Sequence, residues 1–164
     1  VEVINAVTGK LDYIPLATHA YNLGHIAGEN AAGGNVKYDP VVQNISVKIF
    51  NKFFASVGLS SVEAERNNFD LEGVFAKVKS LVPVMPESDF VFGKILADKN
   101  SKRIVGASFL GGKEISGYAD LLSALIKLKV PVSTLSKINY NYTPPLSPFI
   151  NLLNIIGKKF LANK

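Results

Sequence analysis

Beyond Pro40 the spacing of apolar and polar residues has a period of two, which predicts strands. Ile45, Val47 and Ile49 alternate with Ser46 and Lys48. Residues 53–59, Phe-Phe-Ala-Ser-Val-Gly-Leu, predict a second strand running into a turn. Three more strands are expected at about 71–82, 90–98 and 103–110. In the first of these Val74, Ala76 and Val78 oppose Phe75, Lys77 and Lys79, and the polar stretch Asp98 to Lys102 joins the last two into a hairpin.

Elsewhere the period lengthens to that of a helix. Ser60-Ser61-Val62-Glu63 has the form of a capping box and predicts a short helix ending by Asn67-Asn68. A helix over about 114–128 places Ile115, Ala119, Leu122 and Ile126 on one stripe, and Pro131 ends that region. A last helix over about 148–161 aligns Phe149, Leu152, Leu153, Ile156 and Phe160 into an apolar face. Pro144, Pro145 and Pro148 make the segment before it extended and stiff. A block of strands followed by helices predicts an α+β domain: an antiparallel sheet of about five strands with helices packed on it.

Residues 1–34 differ in character. Pro15 suits the first turn of a helix, and Gly33-Gly34 stops it. Ala20, Gly24, Ala27, Gly28 and Ala31 give that helix one face of small side chains. Glycine within a helix costs about 1 kcal/mol relative to alanine, so the face is expected to pack closely on a neighbour. The chain divides into residues 1–34, a polar connector at 35–40, and a main domain at 41–164. It opens on Val1-Glu2-Val3-Ile4 without a methionine or polar lead-in, as expected either of a cut through a longer protein or of a removed methionine or tag.

Composition narrows the chemistry. The 164 residues include no cysteine, which excludes disulfides, thiolate metal sites and cysteine redox chemistry carried by this chain. Only 19% of residues are charged and the mean hydropathy is +0.21, so a buried partner interface is expected. No apolar run is long enough to span a membrane, no leader is evident, and a cytoplasmic location is the expectation. The net charge is +5, but Lys37, Lys48, Lys77, Lys94 and Arg103 are scattered and only Lys158, Lys159 and Lys164 group together. That dispersal argues against a nucleic-acid partner.

No phosphate loop, dinucleotide fingerprint or nucleophile elbow is present. His19 and His25 are expected on different sides of a helix, so no metal site is assigned. The carboxylate pairs Glu63 with Glu65 and Glu87 with Asp89 look like solvated caps and turns. No catalytic residue is assigned. The remaining candidate is the helix start after Pro15, where the backbone N–H groups of Leu16, Ala17 and Thr18 lack intrahelical partners and favour an electron-rich ligand atom.

Tyr13-Ile14-Pro15-Leu16-Ala17-Thr18-His19-Ala20, continued by Gly24-His25-Ile26-Ala27-Gly28-Glu29-Asn30 and Gly33-Gly34, resembles the last segment of the FAD domain in pyridine nucleotide-disulfide oxidoreductases. The branch it resembles contains the NADH oxidases and coenzyme A-disulfide reductases. Residues from about 41 onward resemble that family's C-terminal dimerisation domain. Lys99 to Gly112 is similar to its sheet hairpin, and Tyr142-Thr143-Pro144-Pro145-Leu146-Ser147-Pro148 to its proline-rich segment. The resemblance implies that Leu16, Ala17 and Thr18 touch FAD through backbone groups in a full-length parent using FAD and NAD(P)H. It implies that residues 146–150 approach the flavin of the other subunit in a homodimer. Phe149, Leu152, Leu153, Ile156 and Phe160 are the expected interface residues.

The glycine motif, the NAD domain and the redox cysteine of that family have no counterpart here, so the chain alone is expected to hold no cofactor and to be inactive. Leu146 stands where coenzyme A-disulfide reductases carry a tyrosine. The acceptor lies among oxygen, coenzyme A disulfide, polysulfide and others. The alternative is a free-standing dimeric α+β binding module without redox activity.

Overall fold

The computed structural model describes residues 2–162. A two-stranded antiparallel hairpin opens it: β1 (Glu2–Ile4) and β2 (Leu11–Tyr13). Helix α1 (Ala17–Ala31) follows. The main domain then runs β3 (Asn44–Ile49), β4 (Lys52–Gly58), α2 (Ser61–Arg66), β5 (Leu71–Lys79), β6 (Phe90–Asp98), β7 (Ile104–Gly111) and α3 (Ile115–Lys127). A 3-10 turn at Val132–Ser136 and helix α4 (Leu152–Ala162) complete it.

The five strands β3 to β7 form one antiparallel sheet in the order β3-β4-β7-β6-β5. Both long helices of this domain lie on the same face, α3 over β4 and β7, α4 over β5 and β6. Alternation dictates which side chains meet them. Ala55 and Val57, Val74 and Ala76, Val91 and Ile95, Ala107 and Phe109 point into the helical layer and are buried. They meet Ile115, Ala119, Leu122 and Ile126 of α3 and Leu152, Leu153, Ile156 and Phe160 of α4. Burying one such side chain contributes about 1.5–3 kcal/mol, so this single layer supplies most of the domain's hydrophobic stabilisation. The α+β expectation, with five antiparallel strands, is what the structure shows.

Three elements differ from expectation. The hairpin of β1 and β2 has no signal in the pattern, because each strand has only three residues. Asn5, 2% exposed, organises it. The Asn5 amide donates to Asp12 (2.9 Å), and its side-chain oxygen accepts the N–H of Val7 (2.9 Å). Second, β3 is an edge strand whose polar side faces the helices: the Asn44 amide donates to Asp120 of α3 at 3.0 Å. Ile45, Val47 and Ile49 therefore lie on the outer face, exposed.

Third, α4 begins at Leu152 instead of 148. Asn151 caps it, its side-chain oxygen accepting the Leu153 N–H (2.9 Å) and its carbonyl the Ile155 N–H (3.1 Å). The capping box at Ser60 is formed as read, with Glu63 N–H to the Ser60 hydroxyl and Ser60 N–H to the Glu63 carboxylate.

Candidate functional site

At the start of α1, Leu16 is the extended N-cap residue and supplies no side-chain cap. The Leu16 N–H donates to the Ile14 carbonyl at 3.0 Å, and the first intrahelical bond runs from Ala20 N–H to the Leu16 carbonyl at 3.0 Å. The N–H groups left over by helix geometry are therefore those of Ala17, Thr18 and His19. This shifts the expected set of Leu16, Ala17 and Thr18 by one residue, because the turn at Pro15 has already used the Leu16 donor. The first turn carries no acidic side chain that would repel an anion. An apolar cavity of about 300 Å³ adjoins it, walled by Val3, Ile14, Pro15, Leu16 and Leu23.

His19 stands at the junction of α1 with the main domain. Its Nδ1 is buried without a hydrogen-bond partner, and its ring meets the edge of Tyr38 at 6.4 Å. A polar cleft of about 530 Å³ opens beside it, between Thr18 and Asn22 of α1, Asp39 of the connector and Asp120 and Lys127 of α3. Lys127 and Asp39 approach to 3.5 Å across it. His25 lies on the other side of α1, edge-on to Tyr21. Among the described residues no three of His, Cys, Asp and Glu come together as a metal site would need.

No residue of α1 is fully buried, and among the described residues a Cβ added at Gly24 or Gly28 would meet nothing within 4 Å. A leucine pair anchors the helix: Leu16 and Leu23 pack on Val3, Ile14 and Val41. Asn30 fastens the connector behind it, its amide donating to the Val36 carbonyl (3.0 Å) and its oxygen accepting the Val36 N–H (2.7 Å).

The expected interface residues divide. Leu152, Leu153, Ile156 and Phe160 are at most 3% exposed and belong to the core of their own chain. Side chains with no free surface offer a partner nothing to touch, so the apolar face of α4 is accounted for within the fold. Phe149 is 76% exposed, and Tyr142, Leu146 and Ile150 join it at the surface. The segment carrying them is held firmly. The Ser147 hydroxyl donates to the Asn141 carbonyl (3.0 Å) and accepts the Thr143 N–H (3.2 Å), and Tyr142 meets Phe149 edge-on at 5.3 Å. In the sequence Ser147 stands out only as part of the proline-rich motif; a serine within such a turn is the signal of this brace.

Two half-buried phenols, Tyr118 of α3 and Tyr140, pack against the core beside this segment. Burial, then the charge of Glu114, pushes Tyr118 up to about 12. Burial also raises Tyr140, whose hydroxyl donates to the Leu135 carbonyl at 2.9 Å. Both are neutral packing groups at physiological pH.

A two-layer α+β domain of this order, entered through a helix with an open N-terminus and carrying a braced apolar segment before its last helix, defines a class of protein. Residues 45–152 match the family described as pyridine nucleotide-disulphide oxidoreductase, dimerisation domain, and the chain belongs to it. It is 28% identical to the NADH oxidase of Methanocaldococcus jannaschii over 167 aligned residues, covering 100% of this chain and 37% of that protein. It is 27% identical to the coenzyme A disulfide reductase of Staphylococcus aureus, covering 89% of this chain and 33% of that one. The solved NAD-dependent persulfide reductase from A. fulgidus superposes with a TM-score of 0.93 at 27% identity, over 99% of this chain and 30% of that chain. The chain thus spans about a third of the length of the curated relatives it matches.

Proposed function

We propose that this chain serves as the dimer-forming part of an FAD- and NAD(P)H-dependent oxidoreductase and is inactive alone. The observation that carries the reading is the uncapped N-terminus of α1 beside an apolar cavity, joined to a domain of the matched family. Three unpartnered N–H groups and a positive helix end suit the electron-rich edge of a flavin, and the apolar walls suit its ring. Flavin would supply hydride acceptance from a nicotinamide, with negative charge gathering at one edge of the ring. Ala17, Thr18 and His19 would hold and orient that edge, and a helix end of this kind stabilises a nearby negative charge by about 0.3–1 kcal/mol.

The second half of the reading concerns the partner. Tyr142, Leu146, Phe149 and Ile150 form the surface offered to a second copy, and α4 supports it from behind. In a homodimer this segment would reach the neighbouring subunit's flavin and exclude water from it. The relatives are named NADH oxidase, coenzyme A disulfide reductase and persulfide reductase, in keeping with a parent acceptor among oxygen, coenzyme A disulfide, polysulfide and others.

The test is light scattering coupled to size-exclusion chromatography, with flavin absorbance recorded on the same peak. The expected species is colourless with twice the 17.7 kDa chain mass. The double variant Leu146→Ser, Phe149→Ser should halve that mass while leaving the far-ultraviolet circular dichroism unchanged. A wild-type monomer would overturn the assignment of self-association to this chain. A yellow peak would overturn the assignment of flavin binding to the rest of the parent.

A further inference from the structure

Lysines that are scattered in the sequence share the sheet face opposite α3 and α4, where the short helix α2 reaches one end and the Lys94 ammonium donates to the Ser61 hydroxyl at 3.1 Å. Register places them: Phe75 opposes Lys94, Lys77 opposes Phe92 and Lys79 opposes Phe90, so three successive rungs of β5 and β6 each pair one lysine with one phenylalanine. Rungs on one face repeat at about 7 Å. The Lys77 ammonium stands 3.7 Å from the centre of the Phe90 ring and 5.4 Å from that of Phe92, and Lys79 stands 4.2 Å from Phe90. Beside the rungs, Phe54, Ser108 and Leu110 join Phe75, Phe92 and Lys94 around a shallow basin of about 330 Å³. Phe75 is 56% exposed and Leu110 38%. The rungs contain no carboxylate, and the adjacent Asp89 is already paired with Lys52.

We infer that this face docks an acidic, extended polypeptide segment, its carboxylates bridging Lys77, Lys79 and Lys94 and an apolar side chain between them seated in the basin. Charge selects the occupant. A second copy laid face to face would set lysine rungs against lysine rungs, whereas alternate side chains of an extended acidic strand repeat at the same spacing of about 7 Å. Single-stranded nucleic acid needs free ring faces on which bases stack, and the Phe90 ring already carries two ammonium groups. This inference is independent of the flavin and dimer reading, because it uses the opposite side of the sheet from α4.

The experiment is fluorescence anisotropy of the whole chain with a labelled octapeptide of alternating Glu and Leu. Saturable binding is expected, weakened at least tenfold between low salt and half-molar salt because the paired charges are at the surface. The double variant Lys77→Glu, Lys94→Glu should abolish it, and Phe75→Ser should weaken it severalfold, with circular dichroism unchanged in both. The double variant Lys37→Glu, Lys158→Glu, outside the face and of the same charge change, should leave binding intact and so controls for net charge. The proposal is overturned by absence of binding at millimolar peptide, or by equal binding of the Lys and Leu counterpart. It is equally overturned if oligothymidylate binds more tightly and is lost in the same variants, or if Phe75→Ser converts a dimer to monomer.

Discussion

Gly157 of α4 offers a test in which two physical effects predict opposite signs. A Cβ added there would lie 2.5 Å from the Ser136 amide nitrogen and 2.9 Å from the Leu135 carbonyl carbon, both backbone atoms of the 3-10 turn. Neither can rotate away, so α4 must lift. Lifting it loosens Leu153 and Ile156 from the core and stretches the bond from the Asn154 amide to the Ser136 carbonyl, now 3.1 Å. Helix propensity alone makes Gly157→Ala stabilising by about 1 kcal/mol. Overpacking against immovable backbone costs about 3 kcal/mol, and the strained hydrogen bond adds about 1 kcal/mol. The balance is a loss of about 2–3 kcal/mol. Urea unfolding followed by circular dichroism at fixed protein concentration should show the midpoint falling by roughly 1 M at an unchanged slope. A variant as stable as the wild type, or more so, would refute the claim that α4 and the turn are in backbone contact.

Asp98 accepts the Ser101 hydroxyl (2.6 Å) and the Ser101 N–H (2.8 Å) in the turn between β6 and β7, and Asp98→Ala should cost about 1–3 kcal/mol in chemical denaturation. The Ser101 hydroxyl holds its carboxyl below the ordinary 3.8, so this contribution is present above that pH and lost as pH falls through the lower folded value; the gap between wild type and variant should close in acid. Ser60→Ala removes the acceptor for Glu63 N–H and should destabilise the protein by about 1 kcal/mol. Tyr118 should ionise near its raised value of about 12, so its contribution holds below the ordinary 10.0 and fades as pH rises toward 12. Ultraviolet titration of Tyr118→Phe should lose one late tyrosinate, and loss of an early one would refute its burial.

The main domain was legible because its strands are long enough for alternation to repeat and its helices carry unbroken apolar stripes. Ala119, Leu122 and Ile126 land in the core as the period requires. What could not be read depends on partners distant in the chain. Lys77 and Lys94 look dispersed until the β5–β6 register sets them beside each other's phenylalanines. Ile45, Val47 and Ile49 announce a strand but not which side is covered; that follows from β3 lying at the sheet edge. The helix at the C-terminus was read with Phe149 on its apolar face, because Phe149 shares the spacing of Leu152 and Ile156. Pro148 and the Asn151 cap end the extended segment later, leaving Phe149 outside the helix and exposed. At the start of α1, the site position was legible from Pro15 and the glycine pair, whereas the choice of free donors turned on one short contact, Leu16 N–H to Ile14.

The strand order has a consequence for how the chain comes into being. β7, the last strand to be synthesised, occupies the middle of the sheet, bonded to β4 on one side and β6 on the other. Before Ile104–Gly111 leave the ribosome, the nascent chain owns two separate ribbons, β3 with β4 and β5 with β6. Two-stranded ribbons are marginally stable in water at best. Insertion of β7 joins them in one step, and α3, next in line, seals the join. The domain therefore assembles late and all at once, and until then the side chains of the two ribbons that the helices will cover, Val57, Val74, Val91 and Ile95 among them, stay in water.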